Sequence, residues 1–188
     1  VVGASMGGMI AQTLVLRHDD RVRSLTSIMS TTGNPALPPP KPDALAALMR
    51  PRVDERETAI EQAVALQQII GGPGFPFDVE RTRRLAGQSY DRSFYPAGII
   101  RQLAAVMASG NRAPALASVK TPTLVVHGDA DPLVPLEGGL DTAQAIPGAE
   151  LLVIEGLGHE LPPPVWPRVI DAISGHTEKV EAARGRSG

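Results

Sequence analysis

Three residues of this sequence have types and an order that can do chemistry together: Ser5, Asp131 and His159. Ser5 lies in Gly3-Ala4-Ser5-Met6-Gly7, a Gly-x-Ser-x-Gly pattern where a short run of small and β-branched residues meets a helical pattern. In such a strand-to-helix turn the serine is held in a strained conformation that presents its hydroxyl above a sheet, and the flanking glycines, Gly3 and Gly7, avoid collision. A serine hydroxyl is a poor nucleophile until an imidazole takes its proton, and a carboxylate then fixes the tautomer and stabilises the imidazolium. His159, in Gly156-Leu157-Gly158-His159-Glu160, is the candidate base. The acid falls in Gly128-Asp129-Ala130-Asp131-Pro132, where Asp131 leads and Asp129, two residues away, competes because spacing alone does not separate them. The backbone N–H of Met6, at the start of the helix, is placed to donate to an oxyanion formed on a substrate carbonyl.

Taken singly, each piece has a passive alternative: a glycine-rich turn, an Asp-Pro turn, a solvated loop histidine. Their combination carries the weight, since each follows a different strand-like run and active sites of open α/β sheets gather at the carboxyl ends of strands. Of the other histidines, His127 ends a strand beside the acidic loop, His18 sits at a solvated helix end, and His176 is assigned to the tail. Met9, Met29, Met49 and Met107 are read as core or pocket lining. No Cys pair or His-x-x-x-His spacing offers a metal site. No phosphate-cradling glycine loop appears, and Gly-x-Gly-x-x-Gly is not met, so no cofactor is expected.

The elements that must position these residues read as βαβ at the start. Residues 1–4 lead into a helix over Met6–Arg17, and Ser24–Ser30 alternates apolar and polar residues before a loop. From Pro35 to about Asn111 only helical patterns occur, at Asp43–Met49, Asp54–Ile70, Asp78–Ser89 and Ala97–Ala108, with Asp54 and Asp78 as N-caps and Gly71-Gly72-Pro73 as a stop. Strand-like runs return at Thr123–His127 and Glu150–Ile154 around a helix near Leu140–Ile146, and an amphipathic helix closes over Pro164–Ser174. Near-continuous apolar strands joined through helices predict a parallel sheet covered on both faces. Thr177–Gly188 has only Val180 as a large apolar side chain and is expected to fray.

Bulk properties exclude several classes. The 188 residues hold 43% apolar side chains, enough for a core, and 18 Lys and Arg against 20 Asp and Glu give a net charge of -2. A nucleic-acid binder would need a basic stripe, so no nucleic-acid partner is expected. With no cysteine, disulfides and thiolate chemistry are excluded. No apolar run approaches the roughly 20 residues of a membrane span. A cytoplasmic location is the expectation, and oligomeric state is left open.

With these residues in hand, the chain resembles the α/β-hydrolase superfamily, most of all the actinobacterial esterases of the aclacinomycin-methylesterase type. Besides the three motifs, Ser27–Gly33, Gly72–Asp78, Ala108–Arg112 and Gly156–Pro162 resemble segments of that group. The resemblance implies an α/β fold with an inserted helical cap and a Ser-His-Asp triad of Ser5, His159 and Asp131, favouring Asp131 over Asp129. It implies core segments 1–34 and 113–176, a cap over 35–112 and a tail over 177–188. The implied activity is carboxylic ester hydrolysis through an acyl-enzyme, with a small-molecule ester as substrate. Thioesterases, acyltransferases and perhydrolases share the triad, and a non-catalytic ligand-binding homologue would share the fold. The group also carries further strands, with a second oxyanion donor, ahead of the position of Val1. The chain is therefore expected to be the C-terminal part of such a fold, inactive in isolation, with an exposed Val1-Val2 edge prone to aggregation.

Overall fold

Thr123–Gly128 is buried along its whole length, as a strand covered on both faces must be. In the computed structural model, which describes residues 1–186, this strand is β3 of a four-stranded sheet. The others are β1 (Val2–Ala4), β2 (Leu25–Ile28) and β4 (Glu150–Ile154). The spatial order is β1-β2-β3-β4 and every pairing is parallel, with Val2 opposite Thr26, Ile28 opposite Val126 and Val126 opposite Leu152. Parallel neighbours need crossovers. Helix α1 (Met6–Arg17) supplies the first. The second crossover is long and, among the described residues, purely helical: α2 (Pro42–Met49), α3 (Arg56–Ile70), α4 (Val79–Arg92), α5 (Pro96–Ala108) and the single turn α6 (Ala113–Leu116). Then α7 (Leu136–Ala145) joins β3 to β4, and α8 (Trp166–Gly185) is the last helix among the described residues.

The sheet divides the core. Leu25 and Ile28 are three apart on β2 and so point to opposite faces. Leu25 packs with Ala11 and Val15 of α1, Leu116 of α6, Val119 and Ile146. Ile28 packs on the other side with Leu124, Val126, Ile154 and, from the last helix and its entry, Val169 and Val165. Each Leu, Ile or Val side chain among these, when removed from water, contributes about 1.5–3 kcal/mol, which fixes the strand register from both faces.

Four local expectations are corrected. The N-cap of α3 is Glu55, whose carboxylate accepts from the amides of Glu57 (3.1 Å) and Thr58 (2.7 Å), while Asp54 accepts from the Tyr90 hydroxyl. The longer Glu side chain reaches two amides at once. Asp78 does cap α4, through the Arg81 amide at 2.9 Å. Helix α7 starts at Leu136, earlier than Leu140, running through Gly138 and Gly139. Glycine is needed there because a Cβ on Gly139 would lie 2.5 Å from the ring of His127.

The last helix runs well past Ser174, so residues 177–186 are not a frayed tail; 187–188 lie outside the described residues. Val169, Ile173, His176 and Val180 continue one face, with Val169, His176 and Val180 buried and the His176 ring meeting the Pro122 carbonyl at 3.3 Å. Small and polar residues carry the helix where large apolar ones run out. Of the methionines, Met29 is buried, whereas Met49 and Met107 are 58% and 84% exposed and belong to no core.

Candidate active site

Three strand ends build the site. Ser5 follows β1, Asp131 follows β3 and His159 follows β4, so their loops emerge at the carboxyl edge of one parallel sheet. Ser5 has φ 54° and ψ −120°, a left-handed conformation outside the usual range of a residue with a side chain. Its amide donates to the Ile28 carbonyl at 2.9 Å, and its own carbonyl accepts from the Gly8 amide (2.9 Å) and the Ser30 hydroxyl (2.8 Å). The strained turn is thus held from the neighbouring strand as well as from its own helix.

The glycines around it divide their work differently from expectation. A Cβ on Gly3 would lie 2.1 Å from the Gly7 carbonyl oxygen, while one on Gly7 would meet nothing within 4 Å. Gly8 is instead the second tight position, where a Cβ would come within 2.5 Å of the Ser30 Cβ. Met6 opens α1, so its amide has no acceptor within the helix.

His159 joins the other two residues. Its ring Nε2 lies 2.8 Å from Ser5 Oγ and its Nδ1 lies 2.7 Å from Asp131 Oδ2. An ionised carboxylate only accepts, so Nδ1–H donates to Asp131 and unprotonated Nε2 accepts from the Ser5 hydroxyl. The second carboxylate oxygen of Asp131 accepts from the amides of Leu133 (2.9 Å) and Val134 (2.8 Å). Asp131 and His159 are 5% and 9% exposed, so the hydrogen bonds between them escape competition from bulk water. Asp129 points elsewhere, accepting from the Gly156 amide at 2.6 Å and tying the two loops together. His127 is wholly buried, donates from Nε2 to the Val134 carbonyl at 2.8 Å, and stays 3.8 Å from Asp131. Burial depresses its pKa.

Residues the sequence did not single out surround this chain of bonds. Ser30 and Gly8 brace the serine turn. Arg112, buried, donates to Gln12 of α1 (3.0 Å), to the Thr31 carbonyl (2.9 Å) and to Ser109 and Gly110, fastening the end of α5 to the serine-bearing helix. Burial lowers its pKa, since no carboxylate is among these partners. Glu160 accepts from the Gly72 amide at 3.0 Å. Burial pushes its carboxyl upward, against the pull of that amide.

A cavity of about 840 Å³ lies among α3, α4 and α5, walled by Leu66, Leu85, Phe94 and Ile99 and reaching Glu160. An apolar groove of about 540 Å³ runs between α1 and α5 past Met6, Met9 and Val106, and Gln102 borders both spaces. Among the described residues no His, Cys, Asp and Glu side chains gather in threes to hold a metal, and no helix is long and apolar enough to cross a membrane.

The fold and these strand ends define a class, and residues 1–162 match the family described as the alpha/beta hydrolase fold: the chain belongs to it. Among curated proteins it is 29% identical over 199 residues to rhodomycin D methylesterase of Streptomyces peucetius, covering 94% of this chain and 66% of that protein. It is 26% identical to a pimeloyl-[acyl-carrier protein] methyl ester esterase of Vibrio atlanticus, covering 84% of this chain and 62% of that one. Among solved structures, a thermophilic esterase from Thermogutta terrifontis superposes with a TM-score of 0.68 at 25% identity, over 95% of this chain and 64% of its own. The chain therefore spans 62% to 66% of the lengths of these three proteins.

Proposed function

We propose that the protein is a carboxylic ester hydrolase in which Ser5 is the nucleophile, His159 the general base and Asp131 the residue that orients it. The observation that carries this is the unbroken line of hydrogen bonds from Asp131 through His159 to a serine held at positive φ. As Ser5 Oγ attacks the ester carbonyl, its proton passes to His159 Nε2, and the oxyanion takes a hydrogen bond from the Met6 amide. Collapse breaks the bond to the alkoxy oxygen, which leaves with the proton from His159, and an acyl-Ser5 ester remains. Water then gives a proton to His159 and attacks that ester, releasing the acid and restoring Ser5.

The same proposal takes residues 35–112 as a cap over the core of 1–34 and 113–176, with substrate held under α5 in the spaces that Gln102 borders. The names of two curated relatives, a methylesterase and a methyl ester esterase, support a methyl ester as substrate and so a small alcohol as the leaving group. Met6 is the one oxyanion donor assigned, and loss of one such donor typically costs about 100-fold or more in rate.

The test is substitution in the intact protein. Ser5→Ala is expected to abolish hydrolysis of p-nitrophenyl acyl esters while the thermal unfolding midpoint stays near that of the wild type. Turnover undiminished by the substitution would sink the proposal.

A further inference from the structure

His159 is held by more than its two side-chain partners. Its backbone amide donates to the carbonyl of Ile70, the last residue of α3, at 2.7 Å. Two more bonds join the same pair of segments. The Gly74 amide donates to the Gly156 carbonyl at 2.9 Å, and the Gly72 amide donates to Glu160 Oε1 at 3.0 Å. The segments 70–74 and 156–160 thus lie against each other over their whole length.

Their glycines show how close that approach is. A Cβ on Gly72 would lie 2.1 Å from the Gly156 carbonyl oxygen, and one on Gly158 would lie 2.3 Å from the Gly72 nitrogen. A Cβ on Gly74 would stand 2.7 Å from the Gly156 Cα. No side chain fits between two backbones in this contact, so four glycines from distant parts of the chain serve one junction.

We infer that the Ile70–Gly74 turn, stapled by the carboxylate of Glu160, is a clamp that positions His159, so that the helical segment between β2 and β3 sets the place of the base as well as walling a cavity. This rests on the assignment of His159 as general base. Of the three bonds, the one through Glu160 is the only one made by a side chain, and so the one that substitution can remove without touching the glycines. Glu160 and the turn are positioning residues.

The inference separates from a substrate-contact role because Glu160 also lines the cavity among α3, α4 and α5. A carboxylate that touched substrate would change KM, whereas a clamp acts on the placement of the base and changes kcat. Misplacing a reacting group by about 1 Å can cost roughly 100-fold; loss of one of the three ties is expected to lower kcat about tenfold in Glu160→Ala, with KM within about twofold. Glu160→Gln keeps an oxygen that accepts from the Gly72 amide and is expected to restore most of that loss. Wild-type kcat in Glu160→Ala, or a rise in KM alone, overturns the clamp.

Amide exchange of the unsubstituted protein gives an independent reading: Gly72, Gly74 and His159 are expected to be protected together, and free-peptide rates at Gly72 and Gly74 overturn the clamp whatever the variants do. Ser5→Ala, assayed alongside, tests the esterase proposal separately, since turnover that survives it removes that proposal without reference to Glu160.

Discussion

Ser5 stands in a conformation that costs of order 1–3 kcal/mol, and the surrounding bonds show what holds it there. Its amide donates to the Ile28 carbonyl and its carbonyl accepts from the Ser30 hydroxyl, so the turn cannot relax without breaking ties to the next strand and the loop after it. His127 illustrates the opposite condition, a residue kept chemically idle. Its ring is wholly buried, its Nδ1 has no hydrogen-bond partner, and burial depresses its pKa. A histidine whose pKa is lower in the folded state binds its proton more strongly when unfolded. Its contribution to stability is therefore present above about pH 6.5, the ordinary histidine value, and is lost as pH falls toward the folded pKa. The urea midpoint of the wild type is expected to drop between pH 7 and pH 5, and to drop less in His127→Gln. Profiles of equal slope would contradict the assignment.

At the scale of elements, the short helix α6 does more than its single turn implies. It returns the chain from the helical segment to β3, and its Leu116 is fully buried between α1 and the sheet. Leu116→Ala is expected to cost about 2–5 kcal/mol, read from urea denaturation, because a cavity would open where two chain segments meet. A loss below about 1 kcal/mol would mean the junction collapses to fill the space.

The strands and most helices were legible in the sequence because their signals are local: alternation in Ser24–Ser30, apolar runs in Thr123–His127 and Glu150–Ile154, and helical spacing in Met6–Arg17. What escaped was set by distant partners. The start of α7 runs through two glycines, one of them lying against His127, and the last turns of α8 bury Val180 and pair Lys179 with Glu150 and Glu181 with Arg23, distant partners that no pattern within residues 177–186 records.

For the whole molecule, the candidate site is a product of topology. Ser5 and His159 are 154 residues apart and Asp131 and His159 are 28 apart, yet both pairs meet within 2.8 Å because three parallel strands end at one edge. The types and order of these residues were visible in sequence. The roles of their supports, Ser30, Gly8, Arg112 and Glu160, were not: three of the four lie in segments that carry the family resemblance, but what each does depends on a neighbour far away along the chain.

The central claim, a serine activated by that line of bonds, is tested most directly by reacting the folded protein with a fluorophosphonate probe and locating the adduct by peptide mass spectrometry. The account predicts one label per chain, on Ser5, lost when the protein is unfolded in urea before the probe is added. An unlabelled Ser5 in the folded, intact protein, or equal labelling of folded and unfolded chains, would contradict it.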